Sequence, residues 1–261
     1  MRTFICIYTC LLLLSAPTHA ELRDLPSVTI LASSSLAVPM QYLIRSYVED
    51  RNISVTASYG SASELAEDIS QGTEADLFVT SHPKWMQELK QRGLVDVYSV
   101  TNLLKNRLAL VVSNNSSISS KISYNQQPKE LLQEVIERSV IVIAEPETTP
   151  LGIYIQESLS ATDPALWDSV ISYAIQGRNS QHVSQLILGS DRAGIVFLSD
   201  ARNIKNLRYL ITLDDDTHSP IIYQAAVVAG KHMEQARDFL EYMKSSAAQE
   251  IFSRYGFVPF H

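Results

Sequence analysis

Short apolar runs of strand length alternate along the chain with stretches whose apolar positions recur three and four residues apart. The strand-like runs fall near 27–32, 53–58, 76–80, 107–113, 139–145, 193–198 and 221–229. The helix-like stretches fall near 36–50, 63–71, 83–92, 128–137, 151–160, 179–188, 233–243 and 246–254. Alternation of this kind predicts an α/β architecture with mostly parallel sheets flanked by helices. Pro83 and Pro128 stand in the first turns of their helices, where a missing N–H costs little, and Pro39 lies close enough to a helix start to be tolerated.

The junctions between strands and helices share a chemistry. The first strand runs into three consecutive serines, ASSSL from Ala32 to Leu36. The second is followed by YGSASEL (Tyr59 to Leu65) and the fifth by EPETTPLG (Glu145 to Gly152). In sheets of this class ligands sit beyond the carboxyl ends of strands. The first N–H groups of a helix lack intrahelical partners and lie at the positive end of its dipole, so they and nearby hydroxyls can hold an oxyanion without a charged side chain. Capping by Ser34 or Ser35 explains one serine well and three less well.

The first twenty residues change the picture from a fold to a compartment. Arg2 precedes an apolar run from Phe4 to Leu14, and small and polar residues lead to Ala20 before the first acidic residue, Glu21. This reads as a secretory signal peptide over 1–20, cut after about Ala20. The run is too short to span a bilayer, and no later run approaches roughly 18 apolar residues. Cys6 and Cys10 both lie in the leader, so the mature chain is expected to carry no thiol, disulfide or cysteine-bound metal. About 240 residues remain to build an apolar core in one or two domains, which fits a soluble periplasmic protein.

Charge excludes one class of partner. The formal charge is −7, and removing Arg2 with the leader leaves 20 basic against 28 acidic residues, or −8. Binding along a nucleic-acid backbone needs a basic face, so no nucleic-acid partner is expected. A small anion stays admissible because hydroxyls and backbone dipoles act locally.

Other features have simpler readings. The polar stretch Ser113 to Gln127 reads as a surface excursion, and Asp214 to Asp216 as a solvated turn. Trp85, Met86 and Leu89 share one helix face and read as packing, as do Trp167, Tyr255 and Phe257. Lys84, Lys105 and Arg107 are the cations nearest the candidate segments and read as solvated charge over electrostatic guidance. A secreted serine hydrolase is the competing class, but no GxSxG occurs, and His82, His182, His218, His232 and His261 stand in no catalytic or metal-ligand spacing.

Several segments taken in order are similar to the periplasmic molybdate-binding proteins of ABC importers. They are VTILASSSL (Val28 to Leu36), the stretch Tyr59 to Leu89, AEPETTPLGIY (Ala144 to Tyr154), Trp167, AGIVFLSDA (Ala193 to Ala201), IIYQAAVV (Ile221 to Val228) and IFSRYGF (Ile251 to Phe257). The resemblance runs nearly end to end, from Val28 to Phe257. It implies a two-lobed periplasmic binding protein with the ligand in the cleft between lobes. Residues 21–105 and 218–261 would form one lobe and 106–217 the other, with crossings near Lys105 to Arg107 and Thr217 to Ile221. The lobes would close on a tetrahedral oxyanion, molybdate or tungstate, by a hinge motion, and the loaded monomer would pass it to membrane permease subunits.

Carried across by position, the family's first ligand serine falls on Ser35, next to Ser34, and its second on Ala62, flanked by Ser61 and Ser63. Its backbone donors fall on Leu151 and on Ser180, with Asn179 as the alternative to the latter, and its ligand tyrosine falls on Phe197. Two side-chain donors are thus replaced, each worth roughly 1.5 to 3 kcal/mol toward a charged group. Gln224 stands where the family usually has proline. Phosphate, an organic acid or another small anion is the alternative ligand within the same fold. No catalysis, cofactor or protein-bound metal cation is expected.

Overall fold

The computed structural model describes residues 25–49, 51–120, 122 and 127–260. The expected leader, its cleavage point after Ala20 and both cysteines lie outside the described residues.

The chain first lays down β1 (Ser27–Ser33), α1 (Ala37–Val48), β2 (Ser54–Gly60), α2 (Ala62–Ser70), β3 (Leu77–Thr80), α3 (Pro83–Gln91) and β4 (Thr101–Lys105). It then builds β5 (Leu108–Ser113), α4 (Pro128–Arg138), β6 (Val140–Ala144), α5 (Pro150–Thr162), α6 (Pro164–Tyr173), β7 (Ile175–Gly177), α7 (Ser180–Ile187), β8 (Arg192–Phe197), α8 (Leu198–Asn203) and β9 (Leu207–Thr212). The last described elements are β10 (Ile222–Val227), α9 (Met233–Lys244), α10 (Ser246–Arg254) and β11 (Val258–Pro259). The strands sort into two sheets, ordered β11-β4-β10-β3-β1-β2 and β7-β6-β8-β5-β9. Sheet membership changes between Lys105 and Leu108 and again between Thr212 and Ile222. The architecture is a two-lobed α/β fold.

The sheets are mixed, which corrects the mostly parallel pairing read from the alternation of elements. β1 lies parallel to β2 and β3, and β6 parallel to β7 and β8. β10 runs antiparallel to β3 and β4, β11 to β4, and β5 to β8 and β9. A helical crossover returns a strand parallel to its predecessor. The four strands that flank the two crossings, β4, β5, β9 and β10, take part in every one of these antiparallel pairings. At Tyr223/Gln224 the register between β10 and β4 shifts, and the Gln224 side chain donates to Asn102 Oδ1 at 2.7 Å.

Burial explains which elements the apolar pattern reveals. β5 is buried along its whole length between β8 and β9, and its aliphatic run is legible as a strand. β2, at a sheet edge, alternates exposed and half-buried positions. The pattern misses β4, β7, β9, β11, α6 and α8. β9 carries the exposed Arg208 and Tyr209 among its apolar positions, and β4 mixes Thr101, Asn102 and Lys105 with two leucines. α6 buries only Leu166 and Val170 and leaves Trp167 half covered, so its apolar stripe is too narrow to stand out.

One large apolar cluster runs through both lobes, from Val28 and Leu36 through Leu104, Leu108 and Tyr223 to Ile143 and Phe197. A smaller one under α2 and α3 gathers Leu65, Ile69, Phe78, Trp85, Met86 and Leu89. The start of α5 is pressed onto the end of β6 at Gly152, where a Cβ would overlap the Glu145 carbonyl. That contact is backbone on backbone, so Gly152→Ala is expected to cost about 3 kcal/mol. A urea unfolding midpoint unchanged from the native chain would contradict this.

Candidate functional site

The carboxyl ends of β1, β2 and β3 face those of β6, β7 and β8 across a cavity of about 230 Å³. The surface cleft lined by Arg107 and Asp215 has about 1070 Å³. The smaller space suits a ligand of a few heavy atoms. Of the residues singled out in the sequence, Ser34, Ser35, Ser61, Ala62, Leu151, Ser180 and Phe197 all line it, together with Asn179. Ser63 stands behind the wall, its hydroxyl 3.0 Å from that of Ser61. Ser33, Gly60, Ser81, Thr149 and Pro150 complete the lining among the described residues, and none of these side chains carries a full charge.

Local sequence aims backbone donors into this space. Thr149 caps α5: its hydroxyl accepts from Gly152 N at 3.0 Å and its carbonyl from Ile153 N at 3.0 Å. Pro150 offers no N–H, so Leu151 N–H is the first donor of α5 left for a ligand. Asn179 caps α7 in the same way, accepting from His182 N at 2.9 Å and leaving the Ser180 N–H at the helix start. Ser61 begins α2, where Glu64 reaches back to Ser61 N at 3.3 Å, and the Ala62 N–H follows. Ala62 and Leu151 therefore face the cavity at helix starts where a backbone donor, not a side chain, is available.

The loop that presents Leu151 is fixed by Glu145. Burial pushes its carboxyl up, but bonds from the Thr148 hydroxyl and from the N–H groups of Glu147 and Thr148 outweigh this and hold it below the usual range. Ser33 joins the strand ends, its hydroxyl accepting from Ser81 N at 2.9 Å.

A directed chain of hydrogen bonds orients Ser35. Asn106 lies where the chain passes between the lobes, and its Oδ1 accepts from Arg107 N at 2.9 Å and from Ser199 N at 3.4 Å. The amide nitrogen must then donate, and it does so to Ser199 Oγ at 2.9 Å and to the Tyr223 hydroxyl at 3.3 Å. Tyr223 is buried and its phenol is pushed far above the ordinary range, mainly by desolvation, so it keeps its proton. The phenol oxygen lies 2.7 Å from Ser35 Oγ, and a phenol proton given there leaves the Ser35 proton for the cavity. Phe197 supplies an apolar wall, its ring 6.0 Å from that of Tyr223. Asn106 and Tyr223 were not visible as site residues in the sequence.

The two lobes touch across the cavity. Ser34 Oγ is 3.0 Å from Ser180 Oγ, and Tyr154 of α5 donates to the Ser81 carbonyl at 3.3 Å. Behind Ser180 stands Asp200 of α8, buried, with Oδ2 lacking a hydrogen-bond partner among the described residues. Burial pushes its carboxyl up to about 7, opposed by the Ser180 hydroxyl. The wall serines bond to hydroxyls, a phenol and a backbone N–H, and among the described residues none of these bonds runs to a histidine. Lys84, Lys105 and Arg107 are engaged elsewhere, over the Trp85 ring, by the Phe260 ring and with Asp215.

Comparison with known proteins follows the same lines. The family model described as bacterial extracellular solute-binding protein matches residues 28–258. A Bacillus subtilis protein named as a putative ABC transporter substrate-binding lipoprotein, YvgL, is 32% identical over 235 residues, covering 89% of this chain and 86% of its own. The molybdate-binding protein ModA of Escherichia coli is 29% identical over 243 residues, with 91% of each chain covered. The structure of the sulfate-binding protein SubI of Mycobacterium tuberculosis shares the fold with a TM-score of 0.76 at 16% identity, over 90% of this chain and 87% of that one.

The raised carboxyl of Asp200 carries a stability signature. An unfolded aspartate titrates near 4, so between about pH 4 and 7 the folded protein holds a proton that the unfolded chain has released. Stability is therefore expected to fall as pH rises through this window, by up to about 1.4 kcal/mol per unit, and to level off above it. Asp200→Asn should remove this component, and parallel pH-stability curves for the two proteins would refute the assignment.

Proposed function

The chain belongs to the bacterial extracellular solute-binding protein family, and from that premise we propose that it captures a tetrahedral oxyanion, molybdate, for an ABC importer. The observation that carries this reading is the convergence of neutral donors from both lobes on one small cavity. An anion there is held by the Ser34, Ser35 and Ser180 hydroxyls and by the N–H groups of Ala62, Leu151 and Ser180. Ser61 adds a donor beside Ala62, and Ser63 sets the Ser61 hydroxyl.

Neutral donors suit a fully ionised oxyanion. Helix dipoles and oriented amides favour negative charge locally, and no counter-ion has to be desolvated with it. Selection among anions then rests on cavity size and donor geometry. The name of the ModA relative favours molybdate. Sulfate is the second reading, favoured by the fold shared with SubI.

Residues 21–105 and 218–261 form one lobe and 106–217 the other, hinged near Lys105 to Arg107 and near Thr217 to Ile221. Residues 1–20 act as the leader, cut after Ala20, and the monomer works in the periplasm. Closing on the anion joins the two halves of the donor set, and membrane permease subunits receive that form.

Isothermal titration calorimetry of the mature, ligand-stripped protein with molybdate, sulfate, phosphate and small carboxylates tests this. The expected result is submicromolar molybdate binding with weaker sulfate and phosphate. Tight sulfate and weak molybdate would transfer the protein to the second reading, and heat from carboxylates alone would end both. Ser35→Ala should weaken molybdate binding about tenfold to a hundredfold, the loss of one donor to a charged acceptor. Tyr223→Phe should weaken it less, because Ser35 keeps its hydroxyl and loses only its orientation; equal affinities for all three proteins would argue that Ser35 is not a ligand.

A further inference from the structure

The partners of Asn106 leave one direction open to the hydrogen bonds behind Ser35. Its Oδ1 accepts from Arg107 N at 2.9 Å and from Ser199 N at 3.4 Å, so its nitrogen meets Ser199 Oγ at 2.9 Å and the Tyr223 hydroxyl at 3.3 Å as a donor. Among the described residues the Tyr223 phenol has two hydrogen-bond partners, that amide nitrogen and Ser35 Oγ at 2.7 Å. An amide nitrogen cannot accept, and Tyr223 is fully buried, so a proton given to Ser35 is the arrangement that leaves no buried O–H unmatched. Ser35 has one proton of its own. With its oxygen already receiving the phenol proton, that one is directed to the cavity it lines.

We propose that Asn106 decides which protonation class of tetrahedral oxyanion the site takes, by holding Ser35 as an obligate donor: fully ionised anions are accepted and anions that carry a proton are turned away. Asn106 does not line the cavity and acts through Tyr223, so it is a positioning residue. A proton on the ligand needs an acceptor, and an obligate donor set before it leaves donor facing donor. The other walls give little relief. Phe197 offers a ring, the Thr149 hydroxyl receives the Gly152 N–H and donates to the Glu145 carbonyl, and Asn179 Oδ1 is engaged by His182 N. Ser33 Oγ receives the Ser81 N–H, and Ser34 and Ser180 engage each other. No carboxylate lines the cavity among the described residues.

Exchanging the amide for a carboxylate reverses the chain. In Asn106→Asp one oxygen keeps the Arg107 and Ser199 N–H donors, and the other can only accept. The phenol proton then turns to the carboxylate, Tyr223 accepts from Ser35, and Ser35 shows the cavity a lone pair. That lone pair repels a fully ionised oxyanion and accepts from a protonated one.

This inference rests on the oxyanion reading, and the experiment separates the two. Molybdate, sulfate, hydrogenphosphate and monofluorophosphate are titrated into the mature wild type, Tyr223→Phe, Asn106→Asp and the double variant at about pH 8.5, where phosphate keeps a single proton. Monofluorophosphate has the shape and charge of hydrogenphosphate with fluorine in place of the hydroxyl, so the two differ by one donor. Wild type should bind monofluorophosphate about tenfold or more tightly than hydrogenphosphate, a comparison that needs no variant. Asn106→Asp should weaken molybdate at least as much as Ser35→Ala, about tenfold to a hundredfold, and reverse the order of the two phosphates. Removing the phenol from that variant should restore molybdate binding to the level of Tyr223→Phe, because Ser35 is then free to turn; damage to the crossing would not be repaired by a second deletion. Where neither phosphate gives heat, this recovery decides. Molybdate binding accompanied by equal affinities for the two phosphates in wild type, or by an Asn106→Asp loss that persists without the phenol, overturns the role of Asn106 alone. No heat from any of the four anions overturns the oxyanion reading and this inference with it.

Discussion

The side-chain amide of Asn106 is the constraint from which the site's order follows. It sits at the passage between the sheets, and its oxygen is claimed by two backbone N–H groups, one on the next residue and one at the start of α8. Its nitrogen has no freedom left and donates to α8 through Ser199 and to β10 through Tyr223. One amide thus ties the crossing, a helix of the second lobe and a strand of the first. Buried polar groups are stable only when every donor and acceptor is matched, so this network fixes a single arrangement rather than a family of them.

The consequence for the proposed oxyanion role is a site that would hold charge without charge. Burying a dianion beside a guanidinium would require desolvating both, whereas hydroxyls and helix N–H groups are already oriented and carry no large hydration shell of their own. The chain's acidity does not conflict with this, because net charge acts at long range and is screened while these donors act at contact. Phe197 and Ala62 follow the same logic. Ala62 stands where a helix start offers an N–H in place of a hydroxyl, and Phe197 lies against Tyr223, whose phenol acts one step back through Ser35.

Much of the fold was legible because burial wrote it into the sequence. β1, β5, β6 and β8 are covered and read as aliphatic runs, and α2, α3 and α9 have one apolar face. β4, β9 and α6 escaped because their exposed positions dilute that signal, and the antiparallel pairings escaped because strand direction leaves no periodicity behind. At the site, serines beside helix starts were readable, since hydroxyls at those junctions have few other reasons to cluster. Asn106, Tyr223 and Asp200 were not: each is a single polar residue in an apolar or ordinary stretch, and only the tertiary fold brings three distant segments together. Ser63 was singled out in the same way, and the fold sets its hydroxyl against that of Ser61, outside the lining.

Of the direct contacts between lobes, the bond from Tyr154 to the Ser81 carbonyl uses no group offered to the anion. Its strength adds to the stability of the shut form whether or not anything is enclosed. In the proposed hinged carrier, strengthening it would lengthen the time a captive anion stays inside while leaving its first encounter with an open cleft almost untouched, so that dwell time would be set by a phenol that the cargo need never touch.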